Sequence, residues 1–381
     1  MKKHWYGKQF RLGMLGGGQL GRMFIQEALN YDVHVHCIDP DQNAPCKNIA
    51  ASFEVGSLTD YDTIMAFGAD KDVITVEIEH VNVAALSDLE KAGVRVFPQP
   101  NVLKIVQDKG LQKQFYQQNK LPTSPFFLVE NLDDLRERHP TFPFVLKLRT
   151  GGYDGKGVQI IRSDNDLENA FDAPCIVEEI VHFDKELSVI VARNEAGETA
   201  VYPSVECEFS PTLNLVEFLF SPAEITVEQE QQATKIAIEV INSLEMVGIL
   251  AVELFLTNHG KIIINEIAPR PHNSGHHTIE CAITSQFEQH LRSIINAPLG
   301  STNLLSAGVM INLLGEADFE GEAIYENLET IMAMKGVIVH LYGKQFTKPF
   351  RKMGHVTIYG DELAVLKETG RKVADTLKVT A

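Results

Sequence analysis

Two glutamates on otherwise apolar stretches carry the strongest chemical signal in the chain: Glu253 in ILAVELFL and Glu266 in KIIINEIAPRP. Carboxylates sharing one face of a hairpin repel unless a cation lies between them, and Mg²⁺ carrying nucleotide phosphates meets that need. A two-residue loop at Asn258 and His259 would put Glu253 opposite Ile264, with Glu266 as its diagonal neighbour. The alternative is that one of the two is an exposed edge charge. Upstream, Thr150-Gly151-Gly152-Tyr153-Asp154-Gly155-Lys156-Gly157 lies between two strands and lacks the GK[ST] ending of a Walker loop, so it reads as a flexible flap. Lys147 sits mid-strand in PFVLKLR, where a buried ammonium needs an anion such as phosphate; otherwise it is a surface lysine beside a mobile loop.

Directly after Glu266, the run APRPHNSGHH mixes turn residues with Arg270, His272, Asn273 and Ser274. These supply bidentate, amide and hydroxyl donors suited to an anionic ligand. Adjacent histidines without i, i+4 spacing, and no H-E-x-x-H, give no zinc signature. Near the start, Gly16-Gly17-Gly18-Gln19-Leu20-Gly21 fits a dinucleotide fingerprint, with Asp39 closing the next strand. On its own this motif supports an NAD-dependent dehydrogenase as well as it supports any phosphorylated ligand held at a helix N-terminus.

These groups need elements to hold them. Strands at 10–15, 33–39, 73–78 and 94–97 alternate with helices at 18–29, 60–67 and 83–92, the rhythm of a parallel sheet covered by helices. A long helix over 101–118 follows, then a linker at 122–130. Closely spaced strands at 144–148, 158–161, 176–179, 187–192 and 199–207 suggest an antiparallel sheet. A helix at 227–246 precedes the hairpin 250–256 and 261–267, and an amphipathic helix spans 278–295. Strands at 308–313, 337–340 and 354–359 with a terminal helix form a small third unit. A chain of 381 residues suits two or three domains. The formal charge of −17 argues against a nucleic-acid or anionic-membrane surface, though a local pocket can still be basic. Five cysteines without C-x-x-C spacing, no signal-peptide core and no membrane-length apolar run point to the cytoplasm.

Taken together, Lys104, Lys147, GGYDGKG, the pair Glu178 and Glu179, Glu186, Glu253, and Asn265-Glu266 followed by APRPHNSGHHT resemble an ATP-grasp enzyme. The match is closest to the 5-(carboxyamino)imidazole ribonucleotide synthase family. GMLGGGQLGRM, TVEIEHV, RTGGYDGKG and YGK…RKMGHVT follow that family's order along essentially the whole chain. Lys156 stands where the family most often has Arg, keeping the charge without the planar fork.

The resemblance implies a mixed α/β and α+β chain. A Rossmann-like domain would span 1–100, an ATP-grasp domain 101–300 and a small C-terminal domain 301–381. ATP would be held by Lys104, Lys147, Gly152, Tyr153, Asp154, Gly155, Lys156, Gly157, Glu178, Glu179, Glu186, Asn265 and Glu266. Glu253 and Glu266 would hold Mg²⁺, with Mn²⁺ an alternative. Gln19, Leu20, Lys156, Arg270, His272, Asn273, Ser274, Lys344 and Arg351 would bind aminoimidazole ribonucleotide, while Tyr153, Asp154, Arg270, Glu77 and Lys352 would serve catalysis. The implied reaction carboxylates that ribonucleotide's amine with ATP and bicarbonate through carboxyphosphate, in purine biosynthesis, in a homodimer. Rivals are a formate-dependent transformylase or biotin carboxylase-like ligase, a dehydrogenase, and a silent ATP-binding protein.

Overall fold

The computed structural model describes residues 4–152, 157–209 and 216–381. The first hundred residues form a five-stranded, wholly parallel sheet, ordered Ser52–Val55, His34–Asp39, Arg11–Leu15, Val73–Val76, Arg95–Val96. Helices cover the sheet, which is why a strand such as Val73–Val76 is buried at every position and shows no polar alternation. The order reverses between Arg11–Leu15 and Val73–Val76, so a crevice opens at their carboxyl ends, the usual ligand position in such sheets. Gly16, Gly17 and Gly18 enter it from one strand, Glu77 and Glu79 from the other. The edge strand Ser52–Val55 escapes the sequence pattern because none of its residues is buried.

The expected single helix over 101–118 is two, Pro100–Gln107 and Lys109–Gln118. Asp108 leaves helical geometry (φ −122°, ψ 107°), and its carboxylate accepts the N–H groups of Gly110 and Leu111 as an N-cap. Arg149 grips the same carboxylate at 2.7 Å, which ties the break to the rest of the molecule. The expected linker 122–130 contains a strand, Phe126–Val129, that pairs with Cys175–Glu179. With Phe144–Leu148 and Val158–Ile161 these make a four-stranded antiparallel sheet.

A larger, nine-stranded antiparallel sheet runs from Ile262–Ala268 through Gly248–Thr257, Phe183–Arg193, Val205–Phe209, Val216–Ser221, Ala307–Leu314 and Lys352–Gly360 to Val337–Leu341. Its ninth member, Thr199–Val201, pairs beside Phe183–Arg193, so the predicted strand 199–207 is split at Tyr202-Pro203-Ser204. The C-terminal strands are therefore an extension of the central sheet, because Val216–Ser221 pairs directly with Ala307–Leu314. The predicted helix 278–295 also divides, into Thr278–Cys281 and Gln286–Ile294, where Ser285 caps the second segment.

Helix Val227–Ser243 starts with a reciprocal capping box between Thr226 and Gln229. Its apolar stripe Ala233, Ile236, Ala237, Val240 and Ile241 packs on Leu187, Val189, Val191, Leu250, Val252 and Leu254. Strand alternation then turns Glu186, Ser188 and Glu253 toward the opposite face of that sheet.

Candidate active site

The hairpin that carries the glutamates departs from the expected register twice. Its loop holds three residues, because Thr257 N–H bonds Lys261 O at 2.8 Å and Gly260 takes the left-handed conformation at φ +75°. A bulge between Glu253 and Leu254 then pairs Leu254 with Ile264 but Glu253 with Glu266. Glu266 is thus directly opposite Glu253, where the simple hairpin made it a diagonal neighbour. The bulge also reverses side-chain parity, so that Ile264 and Ile267 both join the core beneath the helix and Glu266 turns away from it. Burial, then Glu266 and Glu186, push the Glu253 carboxyl up to about 8. The Lys109 ammonium, ion-paired with Glu266, holds that carboxyl down at about 2. Glu186, on the same face, is raised to about 7 by burial.

Facing this acidic pair is a basic triad. Glu178 lies between Lys113 at 2.6 Å and Lys147 at 2.8 Å, and Lys147 also reaches Asn265 Oδ1 at 3.3 Å. Burial works to raise the Glu178 carboxyl, but the two ammoniums outweigh it and lower it. Burial pulls Lys113 down. Two ammoniums against one carboxylate leave a surplus positive charge, suited to phosphate, beside a surplus of carboxylate around Glu253, suited to a cation.

Sequence reasoning missed Lys109 and Lys113. Their signal was four-residue spacing on one helix face, which only the break at Asp108 turns toward the carboxylates. Lys104, chosen instead, is exposed on Pro100–Gln107 and forms no ion pair with a described residue. Glu178 points inward and Glu179 outward, as alternation requires. Gly152 and Gly157 flank the segment expected to form a flap, whose Tyr153, Asp154, Gly155 and Lys156 lie outside the described residues.

Beyond the glutamates the chain turns across the site. Arg270 Nε meets Glu79 Oε1 at 2.8 Å, and Nη1 donates to Pro271 O at 3.1 Å. His272 Nε2 lies 3.4 Å from Glu253, and its Nδ1 lies 2.9 Å from Ser274 Oγ, which contacts Ser188 Oγ at 2.7 Å. Burial, then Arg270 and Lys352, depress His272 to about 3, so its ring is neutral. Gln286 clamps the backbone of His272 through both its N–H and its carbonyl, and Asn273 opens the short turn Asn273–Gly275.

On the crevice side, Glu77 accepts the N–H of Leu20 at 3.1 Å beside Gln19 at the helix start. A side chain at Gly18 would collide with the Glu77 carboxylate, which explains the glycine. Burial raises Glu77 to about 7, although Arg270 and Lys344 both draw it down. Lys344 is lowered to about 8 by burial and donates to Lys352 O at 2.6 Å. Arg351 donates to Phe346 O at 2.7 Å. Asp39 accepts the N–H of Gly17 through one oxygen and that of Asp41 through the other. It braces its own loop, a role that explains the acid without a nicotinamide ribose.

Among the described residues no three His, Cys, Asp or Glu side chains form a ready-made metal cage. Mg²⁺ does not require one, since it takes one or two protein carboxylates and fills its shell with water and phosphate oxygens. Opposed Glu253 and Glu266, with the Glu253 carboxyl pushed up by burial and then by Glu266 and Glu186, fit such an ion.

Comparison with known proteins agrees with this geometry. Residues 10–107 match the ribonucleotide synthetase preATP-grasp domain, 114–287 the ATP-grasp domain, and 308–369 the phosphoribosylaminoimidazole carboxylase C-terminal domain. The chloroplastic phosphoribosylaminoimidazole carboxylase of Vigna aconitifolia is 38% identical over 93% of the chain, which spans 65% of that longer protein. The N5-carboxyaminoimidazole ribonucleotide synthase of Bacillus subtilis is 36% identical, with 91% of this chain and 90% of that one covered. Among solved structures, the N5-carboxyaminoimidazole ribonucleotide synthetase of Thermotoga maritima superposes with a TM-score of 0.91 at 42% identity, covering 98% and 99% of the two chains. The synthase of Aspergillus clavatus, solved with ADP and 5-aminoimidazole ribonucleotide, gives 0.87 at 28% identity over 98% and 99%. The chain belongs to the N5-carboxyaminoimidazole ribonucleotide synthase family of ATP-grasp proteins.

Proposed function

We propose that the chain uses ATP and bicarbonate to carboxylate the amine of 5-aminoimidazole ribonucleotide, releasing ADP and phosphate in purine biosynthesis. The observation that carries this reading is the direct pairing of Glu253 with Glu266 beside the Lys113–Glu178–Lys147 triad, with Arg270 and His272 on the turn that follows. Lys113, Lys147 and Lys109 neutralise the nucleotide phosphates, and Lys104 and the 151–157 loop complete the nucleotide site. Glu178, Glu179, Glu186 and Asn265 orient the nucleotide and its lysines. Glu253 and Glu266 would hold Mg²⁺ or Mn²⁺, which supplies charge neutralisation for phosphoryl transfer when bound.

Phosphoryl transfer asks for positioning and charge stabilisation more than covalent help from the protein. Bicarbonate takes the γ-phosphoryl group to give carboxyphosphate, which water destroys, so the site must close; Tyr153, Asp154 and Lys156 on the loop serve that closure and the substrate. Arg270 grips the anionic group, either carboxyphosphate or the ribonucleotide phosphate. His272, kept neutral by burial, offers one ring nitrogen as a hydrogen-bond acceptor and the other as a donor. Gln19, Leu20, Glu77, Asn273, Ser274, Lys344, Arg351 and Lys352 line the ribonucleotide side.

Domains at 1–100, 101–300 and 301–381, a cytoplasmic site and a homodimer complete the proposal. Sequence resemblance supports the dimer; four of the five cysteines are buried thiols, and no described helix is long and apolar enough to cross a membrane. The test is ADP release measured with each of Mg²⁺, bicarbonate and 5-aminoimidazole ribonucleotide omitted in turn. Each omission should abolish it. Full turnover in bicarbonate-depleted buffer with formate as the stimulating acid would make the chain a different ligase.

A further inference from the structure

One short segment organises both walls of the crevice. Strand Val73–Val76 ends, and the next residues, Glu77, Ile78 and Glu79, cross the mouth of the sheet. Glu77 turns toward the glycine loop and accepts the Leu20 N–H. Glu79 turns the other way and meets Arg270 Nε at 2.8 Å, across the boundary between the parallel sheet and the nine-stranded sheet. The segment is itself held down. Gln107, the last residue of its helix, donates to Glu79 O at 2.7 Å and to Val81 O at 2.9 Å.

Both partners of the ion pair are mostly withdrawn from water, with side chains 19% and 22% exposed, so solvent does little to screen it. The Glu79 carboxylate draws the guanidinium toward it as an ion-pair partner, while Nη1 donates to Pro271 O, so the group is held by one charge contact and one hydrogen bond. A flexible arginine would otherwise lose rotamer freedom each time it gripped an anion, and planar recognition depends on the plane being preset.

We propose that Glu79 is the positioning residue for Arg270: it fixes the guanidinium in the orientation that receives the anionic group and leaves nucleotide binding alone. This rests on the reading of Arg270 given above. Glu79 lies within TVEIEHV, distant in sequence from the turn it orients, and only the tertiary contact reveals which residue it serves.

The test is a double-mutant cycle of Glu79→Gln, Arg270→Ala and the pair, with steady-state kinetics in 5-aminoimidazole ribonucleotide and Mg·ATP affinity by titration. Glu79→Gln should lower kcat/KM for the ribonucleotide by about tenfold to a hundredfold, the scale of removing one charge from a poorly solvated ion pair. Mg·ATP affinity should stay within about twofold of wild type. Glu79→Asp should recover part of the loss. In the Arg270→Ala background, Glu79→Gln should cost nothing further, because its effect runs through the missing guanidinium. Additive losses in the double variant, or wild-type kinetics for Glu79→Gln beside an impaired Arg270→Ala, would overturn the assignment of Glu79. Wild-type ribonucleotide kinetics for Arg270→Ala would instead overturn the role given to Arg270 itself.

Discussion

Lys113 offers a sharp test of the triad, because its whole environment is specified. The residue is 4% exposed, pairs with Glu178 at 2.6 Å, and donates to Thr123 Oγ1 at 2.6 Å and Ser124 Oγ at 2.9 Å. Lys113→Met keeps much of the length and removes the charge, leaving Glu178 buried with Lys147 alone. Removing one member of a buried pair costs about 3–5 kcal/mol. Lys147 remains at 2.8 Å, and Thr123 still bonds Ile264 O, so the low end, about 3 kcal/mol, applies. For a domain of this size each kcal/mol moves the midpoint by about 2–4 °C, which predicts a fall of about 6–12 °C. The assay is thermal unfolding of the full chain followed by far-ultraviolet circular dichroism without nucleotide. Lys113→Met combined with Glu178→Gln should be less unstable than the two single losses summed, since the double change no longer strands a charge. A Lys113→Met midpoint within about 1 °C of wild type, on that same scale, would mean that the triad is solvated and that the charge argument fails.

Three further outcomes follow from particular contacts. Glu266→Gln should lower the ligand-free melting temperature, because it strands the Lys109 ammonium, a loss that outweighs the relief of repulsion with Glu253, whose carboxyl burial and Glu266 already push toward the neutral form. Stabilisation by Mg·ATP should disappear in the same variant, and an unchanged ligand-induced shift would remove Glu266 from the cation site. His290 and His277 are pushed by burial to about 3 and about 4, below the 6.5 of a free imidazole. The unfolded chain therefore binds their protons first, and the stability they contribute is complete above pH 6.5 and drains away as pH falls toward those values. The slope is up to about 1.4 kcal/mol per pH unit per ring, and His290→Gln should flatten it in urea titrations between pH 6.5 and 4. Calorimetric titration with NAD⁺ or NADH should show no binding, since Asp39 already braces Gly17 and Asp41; micromolar binding at one site per chain would revive the dehydrogenase.

Local chemistry in the sequence was enough for the parallel sheet, the first glycine turn, the pair of glutamate-bearing strands and the family. Each depends on short-range periodicity or on turn residues that act within a few positions. Residue type and placement singled out Lys147 and Arg270, and the resemblance added Glu178 and Asn265 by motif. Other features were decided only when distant segments met. The bulge after Glu253 follows from which isoleucines the helix beneath can accept, and it changes a diagonal pair into a direct one. Asp108 is an ordinary helix residue until Arg149 arrives to hold it as a cap, and that break, not propensity, brings Lys109 and Lys113 to the carboxylates while Lys104 stays solvent-exposed on the preceding helix. Ser52–Val55 and Phe126–Val129 carry too little alternation to announce themselves, and they become strands because a neighbouring ladder needs partners. Periodicity states which face of an element is apolar, but register, parity and ion-pair choice depend on what lies opposite, and that is set by chain segments far away in the sequence.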